Sequence, residues 1–378
     1  MLGKILKIFL ISLSILGLSA CKQNNFIYSK LEPIQFKNEP SSNLLKKSKT
    51  LSYSETFSFV PTFLGNDKIV YGYSIDEQGK KSSLISLNLT NNEYSVVKSV
   101  NFDENPITFG IYYADKNYVI FNEYHYEEKE SKYFLWSKKD NDFLEILSIS
   151  GVHPLHFTEI SKWKNIFIII TSDSTGNYPI ISYNLESKER TIVESKNSGH
   201  PVVIDNTLYY LLFDNKQLTT SLISYDLLTF KKSELSKTNG KDEFYNGLNS
   251  DGNDLITVKQ TPKGTTFYQG YGNNSKKLLF SEYSEAISSH NGFLTFLGNN
   301  RISNDGRLQY YLYDLNKKIK YNYDGNILYL SDIGIFWVEY LLPESKIANG
   351  EVFKKENSRM RFLEFNKYRK TKSIVSSE

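Results

Sequence analysis

The sequence predicts an all-β fold, a seven-bladed β-propeller of four-stranded antiparallel blades. Three observations lead there. Tyr and Phe number 28 and 24, against 9 Pro and 2 Met, a composition that suits strands. Apolar runs of period two recur along the chain, and beyond the N-terminal apolar segment no stretch sustains a capped helical stripe. Finally, a short apolar and aromatic motif ending in a small polar residue returns seven times, at a mean of about 46 residues, the length of one propeller blade.

The motif reads Ile85-Ser86-Leu87-Asn88, Phe134-Leu135-Trp136-Ser137, Ile181-Ser182-Tyr183-Asn184 and Ile223-Ser224-Tyr225-Asp226. It continues as Tyr268-Gln269-Gly270-Tyr271, Tyr311-Leu312-Tyr313-Asp314 and Leu363-Glu364-Phe365-Asn366. About twenty residues before each lies a strongly apolar run, such as Ile166–Ile170 or Leu208–Phe213. Turn signals precede these runs, among them Gly65-Asn66-Asp67, Asp205-Asn206 and His290-Asn291-Gly292. Before each turn comes a shorter strand, as in Ile107–Tyr113, and after each motif a polar turn leads to a last one, as in Tyr94–Val97 or Ser373–Val375.

Each unit is therefore four strands joined by hairpins. Such a sheet cannot bury both faces alone, and seven of them stacked radially in a ring solve that problem. A pair of β-sandwiches would also use strands at a spacing of roughly 8–12 residues. The four-beat turn pattern repeated seven times favours the ring. The propeller spans 51–378. The sequence resembles divergent bacterial propellers of the translocation-associated or lactonase-like kind, whose specificity sits in loops over the channel. It lacks a Trp-Asp dipeptide at strand ends, a Gly-Gly pair and an intact Asp-box.

The N-terminus reads as a signal. Lys4 and Lys7 precede the apolar stretch from Ile8 to Leu18, and the chain turns polar at Lys22-Gln23-Asn24-Asn25. The stretch is shorter than the roughly 20 residues that span a bilayer, and it fits a secretory signal with small residues at the cleavage point. Leu18-Ser19-Ala20-Cys21 resembles the lipobox of bacterial lipoproteins. The resemblance implies removal of 1–20, a diacylglyceryl group on Cys21, and a chain held on the extracytoplasmic side of a bacterial membrane. Cys21 is the single cysteine, so no intrachain disulfide can form. Residues 21–50 then serve as a lipidated tether, docked in part as an extra strand.

Of the 45 basic residues, Lys4 and Lys7 leave with the signal, so the mature chain is nearly balanced against its 42 acidic ones. That balance lacks the basic footprint of a nucleic-acid binder. Without a polybasic patch near the cysteine, the acyl chains must carry the membrane affinity.

Five histidines are present: His125, His153, His156, His200 and His290. His153-Pro154 and His200-Pro201 open consecutive units at the channel mouth, and Phe244-Tyr245 opens the next. These four (His153, His200, Phe244 and Tyr245) are the candidate binding residues. His153 and His156, three apart in a strand, point to opposite faces, and no carboxylate at fixed spacing completes a metal set. No metal or other cofactor is expected. Asn249 to Asp254 resembles part of a calcium loop but lacks the distal bidentate Glu, and a hairpin turn explains it. No Gly-x-Ser-x-Gly elbow and no phosphate loop is present. The expected function is a binding or scaffold module for an envelope protein, peptide or glycan. The alternative is a metal-dependent lyase or hydrolase using His153 and His200 in the channel.

Overall fold

The computed structural model describes residues 34–40, 42–55, 58–75, 80–101, 107–152, 157–240, 242–252, 254–272, 275–281, 285–302, 308–324, 327–341 and 355–370. They form seven four-stranded antiparallel blades: six take their strands in chain order from 60–101, 107–150, 158–194, 198–237, 244–281 and 285–324, and the seventh takes three from 327–364 and its fourth from near the N-terminus. The innermost strands of successive sheets adjoin one another, and that of the seventh (Ile327–Ser331) adjoins that of the first (Val60–Leu64). The ring is closed.

Burial explains why the second strand of each unit gave the strongest signal. Ile166–Thr171 is buried along nearly its whole length, because neighbouring blades cover both its faces. The outermost strand of the same blade, Arg190–Glu194, is mostly exposed. Seven apolar clusters fill the seven boundaries between blades. Phe167 and Ile169 pack with Tyr133 and Leu135 between the second and third, for example, and Ile168 and Ile170 pack with Tyr210 and Ile223 between the third and fourth. One such cluster joins Phe336 and Met360 of the seventh blade to Val70 and Ile85 of the first.

Ring closure differs from expectation. The outermost strand of the seventh blade was expected at Ser373–Val375, which lies outside the described residues. That position is held by Lys49–Leu51, which pairs antiparallel with Ser358–Glu364. Leu51 is buried against Phe336, Val338, Met360 and Phe362. The chain thus enters the ring as the outside of its last blade and continues as the inside of its first. A second N-terminal strand, Lys37–Pro40, adds in parallel to the outer edge of the sixth blade.

Two ends of the ring need distinguishing. On the loop face the innermost strands begin, and the hairpins between second and third strands project there. On the turn face lie the turns that end the innermost and third strands. Ion pairs stitch blades together on the turn face. Lys162 Nζ lies 2.6 Å from Asp115 Oδ2, linking third and second blades, and Lys138 pairs with Asp67 of the first. Asn66 Nδ2 donates to Asp332 Oδ2 across the closure at 2.7 Å.

Lys98 lies on the outermost strand of the first blade, yet it does not simply face solvent. Instead its Nζ is drawn between the first two blades, 3.9 Å from the Phe134 ring centroid and 2.5 Å from the buried Glu123 Oε1. Ring faces and a carboxylate together offset its lost hydration.

Candidate binding face

His200 occupies a break in its own strand. Pro201 has no N–H to give the sheet ladder, and the pairing of Ser198–Ile204 shifts register between Gly199 and Val202. His200 takes a left-handed backbone, φ 55°, an uncommon state for a residue with a Cβ. Gly199 beside it has little room for a side chain, since a Cβ there would lie 2.9 Å from Phe213. The bulge aims the imidazole across the blade boundary, where Nδ1 lies 3.0 Å from Glu159 Oε1 on the innermost strand of the third blade. Burial alone would lower the imidazole pKa, but the Glu159 carboxylate and its hydrogen bond outweigh burial and raise it.

Aromatic rings frame this pair. Phe157, exposed at the start of the innermost strand, lies edge-on to the His200 imidazole at 5.8 Å and to Tyr178 at 6.0 Å. Beside Tyr178 opens a cleft of about 340 Å³ between the second and third blades, lined by Ile149, Thr171, Asp173, Pro179 and Ile181 among others. Asp173 is committed to its own hairpin, accepting from the backbone N–H of Thr175 and Asn177 and from the Thr175 hydroxyl. Beneath the mouth, the Tyr133 hydroxyl meets Thr158 Oγ1 and Thr171 Oγ1, each at 2.8 Å, and ties the two blades together.

The next blades extend the apolar surface. Leu218 tips the hairpin between the second and third strands of the fourth blade and is exposed. The connection to the fifth blade runs against that tip, where a Cβ at Gly240 would lie 2.5 Å from the Leu218 carbonyl oxygen. That connection ends at Phe244, also exposed.

The predicted site residues therefore separate. His200 and Phe244 stand on the loop face. Tyr245 is fully buried between the fourth and fifth blades, its hydroxyl donating to Ser236 Oγ at 2.9 Å and the Lys259 Nζ lying 5.1 Å from its ring centroid. Cys21, His153 and His156 lie outside the described residues. His125 Nε2 lies 3.8 Å from Glu123 Oε2, and His290 lies on the turn face, 3.4 Å from Asp332 Oδ1. Sequence reasoning missed Glu159, Phe157 and Leu218. Glu159 had a usable signal, because it precedes His200 by 41 residues, close to one repeat, which places the two on neighbouring innermost strands. Among the described residues, no three His, Cys, Asp or Glu side chains gather as a metal-ligand set, and no helix is long and apolar enough to cross a membrane.

No protein-family model matches this chain, and no curated protein sequence does. Solved structures do. The β-propeller domain of the trilobed protease from Pyrococcus furiosus is 10% identical with a TM-score of 0.52, over 76% of this chain and 90% of that one. The likeness is one of fold. An oligogalacturonate lyase from Vibrio parahaemolyticus gives 11% and 0.52, over 88% and 98% of the two chains. A prolyl endopeptidase gives 11% and 0.56 over 77% of this chain. This chain spans 46% of that endopeptidase.

Proposed function

We propose that this chain is an extracytoplasmic lipoprotein whose propeller is a binding module for an envelope protein, peptide or glycan. The anchor is lipid on Cys21, supported by Leu18-Ser19-Ala20-Cys21 and the polar switch after it. The observation that carries the binding reading is the loop face of the third to fifth blades. There, Phe157 stands beside the paired His200 and Glu159, a cleft opens at the border with the second blade, and Leu218 and Phe244 are exposed on the same face of the fourth and fifth blades. Exposed apolar side chains next to a fixed polar pair give a partner both contact area and orientation.

The second reading, a metal-dependent lyase or hydrolase, draws on His153, His200 and acidic loop residues; of these the His200–Glu159 contact lies among the described residues. Metal analysis of the purified protein separates the two, with His153→Ala and His200→Ala as companions. The binding reading expects no stoichiometric metal in any of them. Stoichiometric metal in the native chain, lost in both variants, would reject it in favour of the enzyme.

A further inference from the structure

The turns after the third strands share one geometry. In the first, second, third, fourth and sixth blades, the fourth residue beyond that strand is left-handed: Asn92, Asn141, Lys188, Phe230 and Lys318, with φ between 53° and 64°. The backbone N–H of that residue reaches back to the strand end, as Asn92 N to Asn88 O at 2.8 Å and Phe230 N to Asp226 O at 2.8 Å. Asn suits this conformation, and Lys at the tip of a turn is ordinary for a solvated surface. Phe suits neither, yet Phe230 is 72% exposed, its ring 6.4 Å from that of Tyr225.

Its neighbour repeats the departure. Leu228 is 54% exposed where the equivalent positions hold Thr90, Lys139, Glu186 and Asn316. On the adjacent fifth blade, the same turn region carries Tyr271, 38% exposed. One frame thus repeats around the ring, and apolar side chains stand out from it on two adjacent blades only among those described.

The tether leaves at the same place. The Lys37 backbone N–H donates to Lys318 O, in the turn of the sixth blade, and that of Ile34 donates to Leu278 O, near the start of the fifth blade's outermost strand. The chain therefore reaches the ring on its turn face, at the fifth and sixth blades. From Ile34 back to Cys21 is thirteen residues, a span of at most about 45 Å. Exposed Lys231 and Lys276 flank the apolar tips and suit an anionic surface.

We infer that Leu228, Phe230 and Tyr271 rest in the headgroup region of the lipid surface to which the chain is anchored. This turns the loop face with His200, Phe157 and Phe244 away from the membrane. The inference rests on acylation of Cys21. Aromatic and aliphatic tips flanked by lysine are the pattern of interfacial contact.

The test uses full-length lipidated protein on vesicles of phosphatidylethanolamine and phosphatidylglycerol. Acylated Cys21 offers no thiol, so Thr229→Cys or Lys216→Cys carries a single environment-sensitive fluorophore, on the turn face or the loop face respectively. A lipid bearing a headgroup-depth quencher should quench the reporter at 229 and leave that at 216 unaffected. Adding Leu228→Ser and Phe230→Asn, the latter matching the first two blades, should cut quenching at 229 by about twofold or more. Vesicle-bound protein quenched no more at 229 than at 216 would overturn the inference. So would a 229 reporter that is unquenched on vesicles but blue-shifted in whole envelopes, which would mark a protein partner on this face. Protein that fails to stay on vesicles would overturn acylation at Cys21, and the orientation with it.

Discussion

Glu159 and His200 lie 41 residues apart in sequence and meet across the boundary of the third and fourth blades, Oε1 to Nδ1 at 3.0 Å. Each belongs to an innermost strand, so the contact locks two blades at the mouth of the ring. It also fixes the imidazole, because a carboxylate on Nδ1 sets the orientation of the ring and of its other nitrogen. About a quarter to a third of each side chain remains open to solvent (26% and 30%), so the pair is at once a brace and part of the exposed loop face.

This contact makes stability depend on pH. The folded-state pKa of His200 is raised by Glu159 above its ordinary value. Stabilisation from the pair is therefore full below about pH 6.5, the unfolded value, and is lost as pH rises through the folded pKa. Urea unfolding of the native chain and Glu159→Gln should differ by about 1 kcal/mol at pH 5.5, with partial solvent exposure keeping the figure low. The gap should narrow by pH 8.5. A gap that widens as pH rises would contradict this assignment.

Tyr133 ties the second blade to the third beneath the mouth. Phe at this position keeps the buried ring but leaves Thr158 and Thr171 without the bond each makes to the hydroxyl. Tyr133→Phe should lower unfolding free energy by about 1–3 kcal/mol with the fold retained. Chemical denaturation checks this, and a change of only a few tenths would mean that the two threonines satisfy each other.

Closure of the ring gives a third expectation. Lys49–Leu51 is a three-residue strand, and its apolar anchor in the boundary of the seventh and first blades is Leu51. Leu51→Ala should cost about 2–5 kcal/mol. Protease susceptibility should rise first around residues 49–64, where the chain passes from the last blade to the first. Loss of stability without that local opening would mean that closure does not depend on this strand.

Most of the blade frame was legible in the sequence because hairpin turns and doubly covered strands leave local signatures. Ile166–Thr171 is apolar since both its faces are buried, and Asp205-Asn206 marks a tight turn wherever it occurs. Lys49–Leu51 had no such signature. Three residues carry no period, and their pairing is fixed by an apolar cluster formed about 300 residues later in the chain. The site was half legible for a similar reason. His200-Pro201 announced an irregular strand, whereas Glu159 gains meaning only when two repeats are superposed. Tyr245 shows the limit of reading by adjacency, because neighbours in a strand face opposite sides. Phe244 reaches solvent and Tyr245 the core.

Lipid attachment is tested by Cys21→Ala. The variant should move from the membrane fraction to the soluble fraction of the cell envelope, and metabolic labelling with a clickable fatty acid should disappear. Unchanged membrane retention at native level would remove the anchor from this account.

The central claim, that partners meet the loop face, is tested most directly by site-specific photocrosslinking in whole cells. A photoreactive residue at Phe244 or Leu218 should give the same covalent partner. Capture should fall when Phe157→Ser or His200→Ala is added. A photoreactive residue at Lys276, on the outermost strand of the fifth blade, should give none of that product. Capture of a partner from position 276 alone, with nothing from 218 or 244, would contradict the account.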